Sequence, residues 1–247
     1  MMIVALNLGL FALATAGLAI LSLAYGDLAP MWGVLPAAAK IPIDLFAVIV
    51  LAGCAGLGVK RFRLQSLMAA SAYYAVWALL ALPAVFANPL GIGAWYGVVE
   101  AATMLAGAAI LLKPAGPVVR GAQILFGLTC IFYGWSHFLY ADYTAAMVPG
   151  WLPGPKFLAY ATGAAHICAG LAIAVGVLPY LAAFLEMAMM AAFGLLVWVP
   201  SFFADPIPQW ATPPRNQWSE IAVNLMLVAA AWIVTTSFGK QSESNSP

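Results

Sequence analysis

The chain has 247 residues, of which 65% are hydrophobic and 7% charged, with a net charge of +1 and a mean hydropathy of +1.01. Soluble domains carry roughly a quarter charged residues, so a fully water-facing surface is excluded and an integral membrane protein is expected. The longest basic stretch is Lys60-Arg61-Phe62-Arg63, too little to neutralise a nucleic-acid backbone. Phosphate-loop, CxxC and HExxH motifs are absent from the sequence.

A bilayer core about 30 Å thick needs roughly 20 apolar residues at helical rise. Eight runs meet that requirement: Ile3 to Ala24, Ile41 to Val59, Leu64 to Val85, Ala94 to Leu112, Val118 to Leu139, Phe157 to Leu178, Tyr180 to Trp198 and Trp218 to Thr235. The first of them lacks the basic start and small-residue cleavage site of a signal peptide and reads as a span. Charged or Pro/Gly-rich breaks separate the runs, among them Lys60 to Arg63, Asn88-Pro89, Lys113 to Pro117 and Leu178-Pro179. Period-2 alternation is missing, which favours helices over a barrel. Residues 239–247 are polar and are expected to form a disordered tail. With eight spans both termini share one face, and that face collects Lys60, Arg61, Arg63, Lys113, Arg120 and Lys240. The opposite face holds only Lys40, Lys156 and Arg215, so the termini are expected in the cytoplasm.

Internal similarity suggests a duplication. Pro83-Ala84-Val85-Phe86-Ala87-Asn88-Pro89 recurs as Pro200-Ser201-Phe202-Phe203-Ala204-Asp205-Pro206, and Cys54-Ala55-Gly56-Leu57 as Cys168-Ala169-Gly170-Leu171. Glu100-Ala101 is echoed by Glu220-Ile221-Ala222. Four spans per unit is an even number, which makes the repeats parallel. The expected architecture is all-α: a polytopic membrane bundle with a degenerate first unit (1–113) and a second unit (118–238).

Ionisable groups inside spans are costly and mark candidate sites. Six qualify: Asp44, Glu100, His137, His166, Glu186 and Glu220. Span polarity places Asp44, Glu100, His137 and Glu220 toward the face opposite the termini, His166 near the midplane, and Glu186 toward the termini, where it is expected to snorkel or to pair with a base such as Arg63 or Arg120. At the repeat offset His166 corresponds to Ala52, so the second unit carries the richer polar set. A lone buried histidine is more often a packing residue than a ligand, but His137, His166 and Glu220 at overlapping depth suggest a shared pocket. Seven of the nine tryptophans (Trp32, Trp95, Trp135, Trp151, Trp198, Trp210 and Trp218) fall at the end opposite the termini, and Trp151 and Trp218 are expected to wall the pocket. Such a site suits an amphipathic ligand such as a quinone or lipid headgroup. A bis-histidine haem is disfavoured, because counting from the span ends puts the two imidazoles at depths about 9 Å apart. No spacing diagnostic of a metal site is present. Cys54, Cys130 and Cys168 read as small buried hydrophobes.

The second unit resembles the DoxX-like membrane proteins. The resemblance rests on Gly134-Trp135-Ser136-His137-Phe138, on the Pro-bracketed loop Met147 to Pro155, on Tyr160 to Ile167 with Gly163 and His166, on Ala169-Gly170-Leu171 and on Trp218-Ser219-Glu220. It covers Gln123 to Ser237 and reaches the first unit only through the repeat. The resemblance implies a four-helix unit in a bacterial inner membrane, with positions 137 and 166 as signature positions. Many members carry Glu where this chain has His166. Some are linked to respiratory or thiol-redox work, including a thiosulfate:quinone oxidoreductase. The expectation is a redox-linked subunit whose electrons come from a membrane or redox partner protein. The alternatives are a small-solute transporter or a non-enzymatic scaffold, and whether the chain is an enzyme is open.

Overall fold

The computed structural model describes residues 2–26, 40–211 and 214–244. Trp32 and the loop around it therefore lie outside the described residues. All regular structure among the described residues is helical. The elements are α1 (Met2–Tyr25), α2 (Lys40–Gly56), α3 (Arg63–Ala87), a 3-10 turn (Ile92–Trp95) leading into α4 (Tyr96–Leu112), and α5 (Pro117–Leu139). A short α6 (Ala141–Met147) follows, then α7 (Pro155–Val175), α8 (Pro179–Phe193), α9 (Val199–Ser201) and α10 (Pro214–Ser244).

Among the described residues, seven helical segments are long and apolar enough to cross a membrane; α2 is also apolar but shorter, from Ile41 to Gly56. The chain is thus a multi-pass helical bundle. The last helix runs on to Ser244, through most of the stretch expected to be a disordered tail.

Local sequence sets the helix ends. Pro117, Pro155 and Pro179 occupy first-turn positions of α5, α7 and α8, where the missing N–H costs nothing. Gly176 ends α7 in the left-handed conformation, with φ 86°. The guanidinium of Arg120 donates to the Ile173 and Ala174 carbonyls in the last turn of α7. Between α8 and α9 the backbone widens into a π-turn over Gly194–Trp198.

Neighbouring helices pack in chain order, α1 on α2, α2 on α3, α3 on α4, then α5 on α7, α7 on α8 and α8 on α10. The two halves meet where α4 packs on α5, α10 on α1, and α4 on α10. The first half is filled by Phe11, Tyr73, Tyr74 and Trp77, all buried. The Tyr74 hydroxyl donates to Thr15 Oγ1 at 3.0 Å, since the Thr15 proton goes to the Phe11 carbonyl. In the same way Tyr73 donates to Ser22 Oγ at 2.9 Å.

The closest helix contact is between α5 and α7. A Cβ added at Gly127 would come within 2.6 Å of the Gly170 carbonyl oxygen, and one at Gly163 within 2.8 Å of His137 Cβ. A Cβ at Gly134 would collide with the Gly163 carbonyl. Each glycine pair is seven residues apart along its helix, two full turns, so backbone meets backbone at two levels. Gly9 of α1 has no atom within 4 Å of such a Cβ. Gly134→Ala and Gly163→Ala should each destabilise the protein by about 1–3 kcal/mol through overpacking, whereas Gly9→Ala should be neutral or stabilising. Thermal unfolding in detergent measures this, and equal melting temperatures for all three variants would refute the close contact.

Candidate functional site

A cavity of about 130 Å³ lies between α4, α5, α7, α8 and α10, near the end of the bundle opposite the termini. Its polar lining includes Glu100, His137, His166 and Glu220, and its aromatic lining includes Tyr133 and Trp198. The expected trio His137, His166 and Glu220 is therefore brought together. Glu100, expected only as a secondary polar position, joins it from the first half of the chain.

The two imidazoles lie 5.1 Å apart between ring centroids, edge to face. Gly163 abuts the His137 Cβ, and His166 follows three residues later, about 4.5 Å further down at helical rise. This corrects the depth difference expected from the span ends. Helix α7 starts above the end of α5, and the glycine contact, not the span ends, sets their register.

Each imidazole is held by its Nδ1. Thr162 spends its hydroxyl proton on the Leu158 carbonyl at 2.8 Å, so His137 Nδ1–H is the donor to Thr162 Oγ1 at 3.0 Å. That leaves the His137 Nε2 lone pair as an acceptor. His166 Nδ1 is 2.7 Å from Glu186 Oε1, and both side chains are almost completely buried. Phe193 packs against both rings, at 5.9 Å from each.

The Glu186 partner is a correction. It pairs with His166 in the core, not with Arg63 or Arg120 at the membrane edge. Arg120 is committed to the end of α7, and α8 carries Glu186 inward to the level of His166. The second Glu186 oxygen has no hydrogen-bond partner among the described residues, and the Cys130 thiol lies against this carboxyl. Cys130 is thus a neighbour of the polar chain, although its sequence context read as packing alone.

The expected tryptophan wall is also corrected. Trp151 is 71% exposed and Trp218 53% exposed, and neither lines the cavity. Trp218 packs on Phe202 at 4.6 Å. Trp198 serves as the wall, placed by the π-turn and backed by Trp210 at 5.5 Å. Wide π-turns recur at functional sites because they re-aim side chains within a helix. Asp44 sits half-buried in α2 and does not line the cavity.

Other contacts fix the frame. Tyr133 donates to Thr103 Oγ1 at 3.0 Å, since Thr103 gives its proton to the Val99 carbonyl; this ties α5 to α4. Asn224 of α10 donates to the Met190 carbonyl of α8 at 2.9 Å. Glu100 is buried, and its Oε2 has no hydrogen-bond partner among the described residues.

The His166–Glu186 pair makes a direct prediction. Removing one partner leaves a buried polar group unpaired at a cost of about 1–3 kcal/mol. His166→Leu and Glu186→Leu should each lower the melting temperature in detergent, and the double variant should lose less than the sum. Strict additivity would show that the two side chains do not interact.

No curated protein and no solved structure matches this chain. Residues 121–199, which include both histidines and Glu186, match the DoxX family model.

Proposed function

We propose that the chain is a redox-linked membrane subunit whose second half holds the headgroup of a quinone, or of a similar carbonyl- or hydroxyl-bearing amphipath. The observation that carries this reading is the shared presentation of His137 and His166. Both are anchored through Nδ1 and both line the same cavity. A quinone exchanges protons at its oxygens when its redox state changes, and imidazole is the side chain suited to receive or return them near neutral pH. Glu186 steadies His166 from behind, and Glu100 and Glu220 are the next acceptors along the cavity wall.

The volume fits this assignment. About 130 Å³ falls below the roughly 300–1,000 Å³ that encloses a whole drug-sized molecule, so a headgroup enters and an isoprenoid-type tail stays among the helices. Because no cofactor-binding motif is present in the sequence, a partner protein takes or supplies the electrons.

The same reading treats residues 1–113 and 118–238 as parallel repeats. In its support, α4 packs on α5 as α10 packs on α1, with α4 against α10 between them. It also places the basic face, with Lys60, Arg61, Arg63, Lys113 and Arg120, in the cytoplasm of a bacterial inner membrane.

Purification in a lipid-like detergent, followed by mass spectrometry of extracted small molecules, tests the proposal. A bound quinone is expected, with affinity reduced roughly tenfold to a hundredfold in His166→Ala, matching about 1.5–3 kcal/mol for a charge-assisted hydrogen bond. His137→Ala should act in the same direction and guards against misfolding of the first variant. Ligand-free protein carrying a stoichiometric protein partner would overturn the ligand reading in favour of a scaffold.

A further inference from the structure

A second cavity, of about 210 Å³, lies at the opposite end of the molecule, on the face that carries both termini. It is formed by the start of α1, the start of α3, the end of α4 and the last turns of the α10 span. Its walls include Val4, Asn7, Arg63, Ile110 and Thr236. Arg63 is half-buried and its guanidinium is anchored by a single nitrogen, with Nε donating to the Leu57 carbonyl at 3.4 Å. Both Nη groups remain available for a bidentate oxyanion. No carboxylate lines this cavity. Arg120 on the same face is already committed to the α7 carbonyls.

The polar wall is unsaturated. Asn7 is 5% exposed, and its Nδ2 donates to Thr236 Oγ1 at 2.9 Å. Its Oδ1 has no hydrogen-bond partner among the described residues. A buried amide oxygen without a donor is costly, and a headgroup hydroxyl would supply one. Val4, 39% exposed on the outer side of α1, makes the cavity's apolar margin continuous with the lipid-facing surface. Lys60, Arg61 and Lys113 are exposed in the neighbouring turns and give the approach a positive potential.

We propose that this cavity binds one anionic phospholipid from the leaflet facing the termini. Its phosphate sits on the Nη groups of Arg63, its headgroup hydroxyl donates to Asn7 Oδ1, and its acyl chains run down the outside of α1. The site is separate from the histidine cavity and does not depend on what that cavity holds.

Native mass spectrometry of the full chain, exchanged into micelles holding equimolar phosphatidylglycerol and phosphatidylcholine, tests this. One phosphatidylglycerol should be retained in preference to phosphatidylcholine. Arg63→Gln should weaken that retention roughly tenfold, equivalent to about 1.4 kcal/mol, and Asn7→Leu should weaken it to a smaller degree. Arg61→Gln, on the exposed turn, should retain the lipid as the parent does. Equal retention of the two lipids, or undiminished retention in both the Arg63 and Asn7 variants, would overturn the proposal. Inorganic phosphate displacing the lipid at millimolar concentration would also overturn it, assigning the site to a free anion.

Discussion

The backbone contact between α5 and α7 is the constraint from which the polar centre follows. Gly127, Gly134, Gly163 and Gly170 let the two backbones touch where the helices meet, with Ile131, Ile167 and Ala174 packed beside the seam. Lipid offers no hydrophobic drive for helices to associate, so membrane helices gain from packing that small residues make close. That closeness fixes which residues face each other at the next level up. His137 comes to rest over Gly163, and His166 lies one turn below with its ring against the first. A bulkier seam would hold the two imidazoles apart.

The two halves use their interiors differently. In the first, Phe11, Tyr73, Tyr74 and Trp77 occupy the core, and each tyrosine hydroxyl is satisfied by a neighbouring helix. In the second, histidines, carboxyls and a thiol occupy the corresponding region and leave a cavity. The first half still contributes to that cavity: Glu100 and Tyr96 come from α4, and Thr103 holds Tyr133 in place. The site is therefore composite, lined by α5, α7 and α8 within residues 121–199, by α10 beyond them and by α4 from the first half.

Much of this was legible in the sequence, because hydropathy and length leave few structures open to such a chain. The helical class and the position of each long span follow from counting residues along apolar runs. Counting failed where its origin was chosen badly. Measured from the span ends, Glu186 falls near the membrane edge. Measured from the turn that α7 and α8 share, His166 lies ten residues before Gly176 and Glu186 seven after Pro179, at depths close enough for the side chains to meet. A shared hairpin turn is the better ruler. For His137 and His166 no such turn exists, since α6 and a loop intervene, and only the glycine contact sets their relative height. Trp151 and Trp218 misled for another reason: tryptophan favours the membrane interface whether or not a pocket lies beneath it.

The layer beneath the histidines has a consequence for sidedness. Below Cys130 the interior between α5, α7, α8 and α10 is closed by Phe126, Ile173, Ala183, Ala230 and Ile233, all buried and apolar. Hydrocarbon packed at this density conducts neither water nor hydronium. The polar chain of His137, His166 and Glu186 thus borders the cavity at one end and an apolar layer at the other. On the redox reading proposed above, a proton exchanged at these histidines would leave by the end through which it came, and the site would move no net charge across the bilayer.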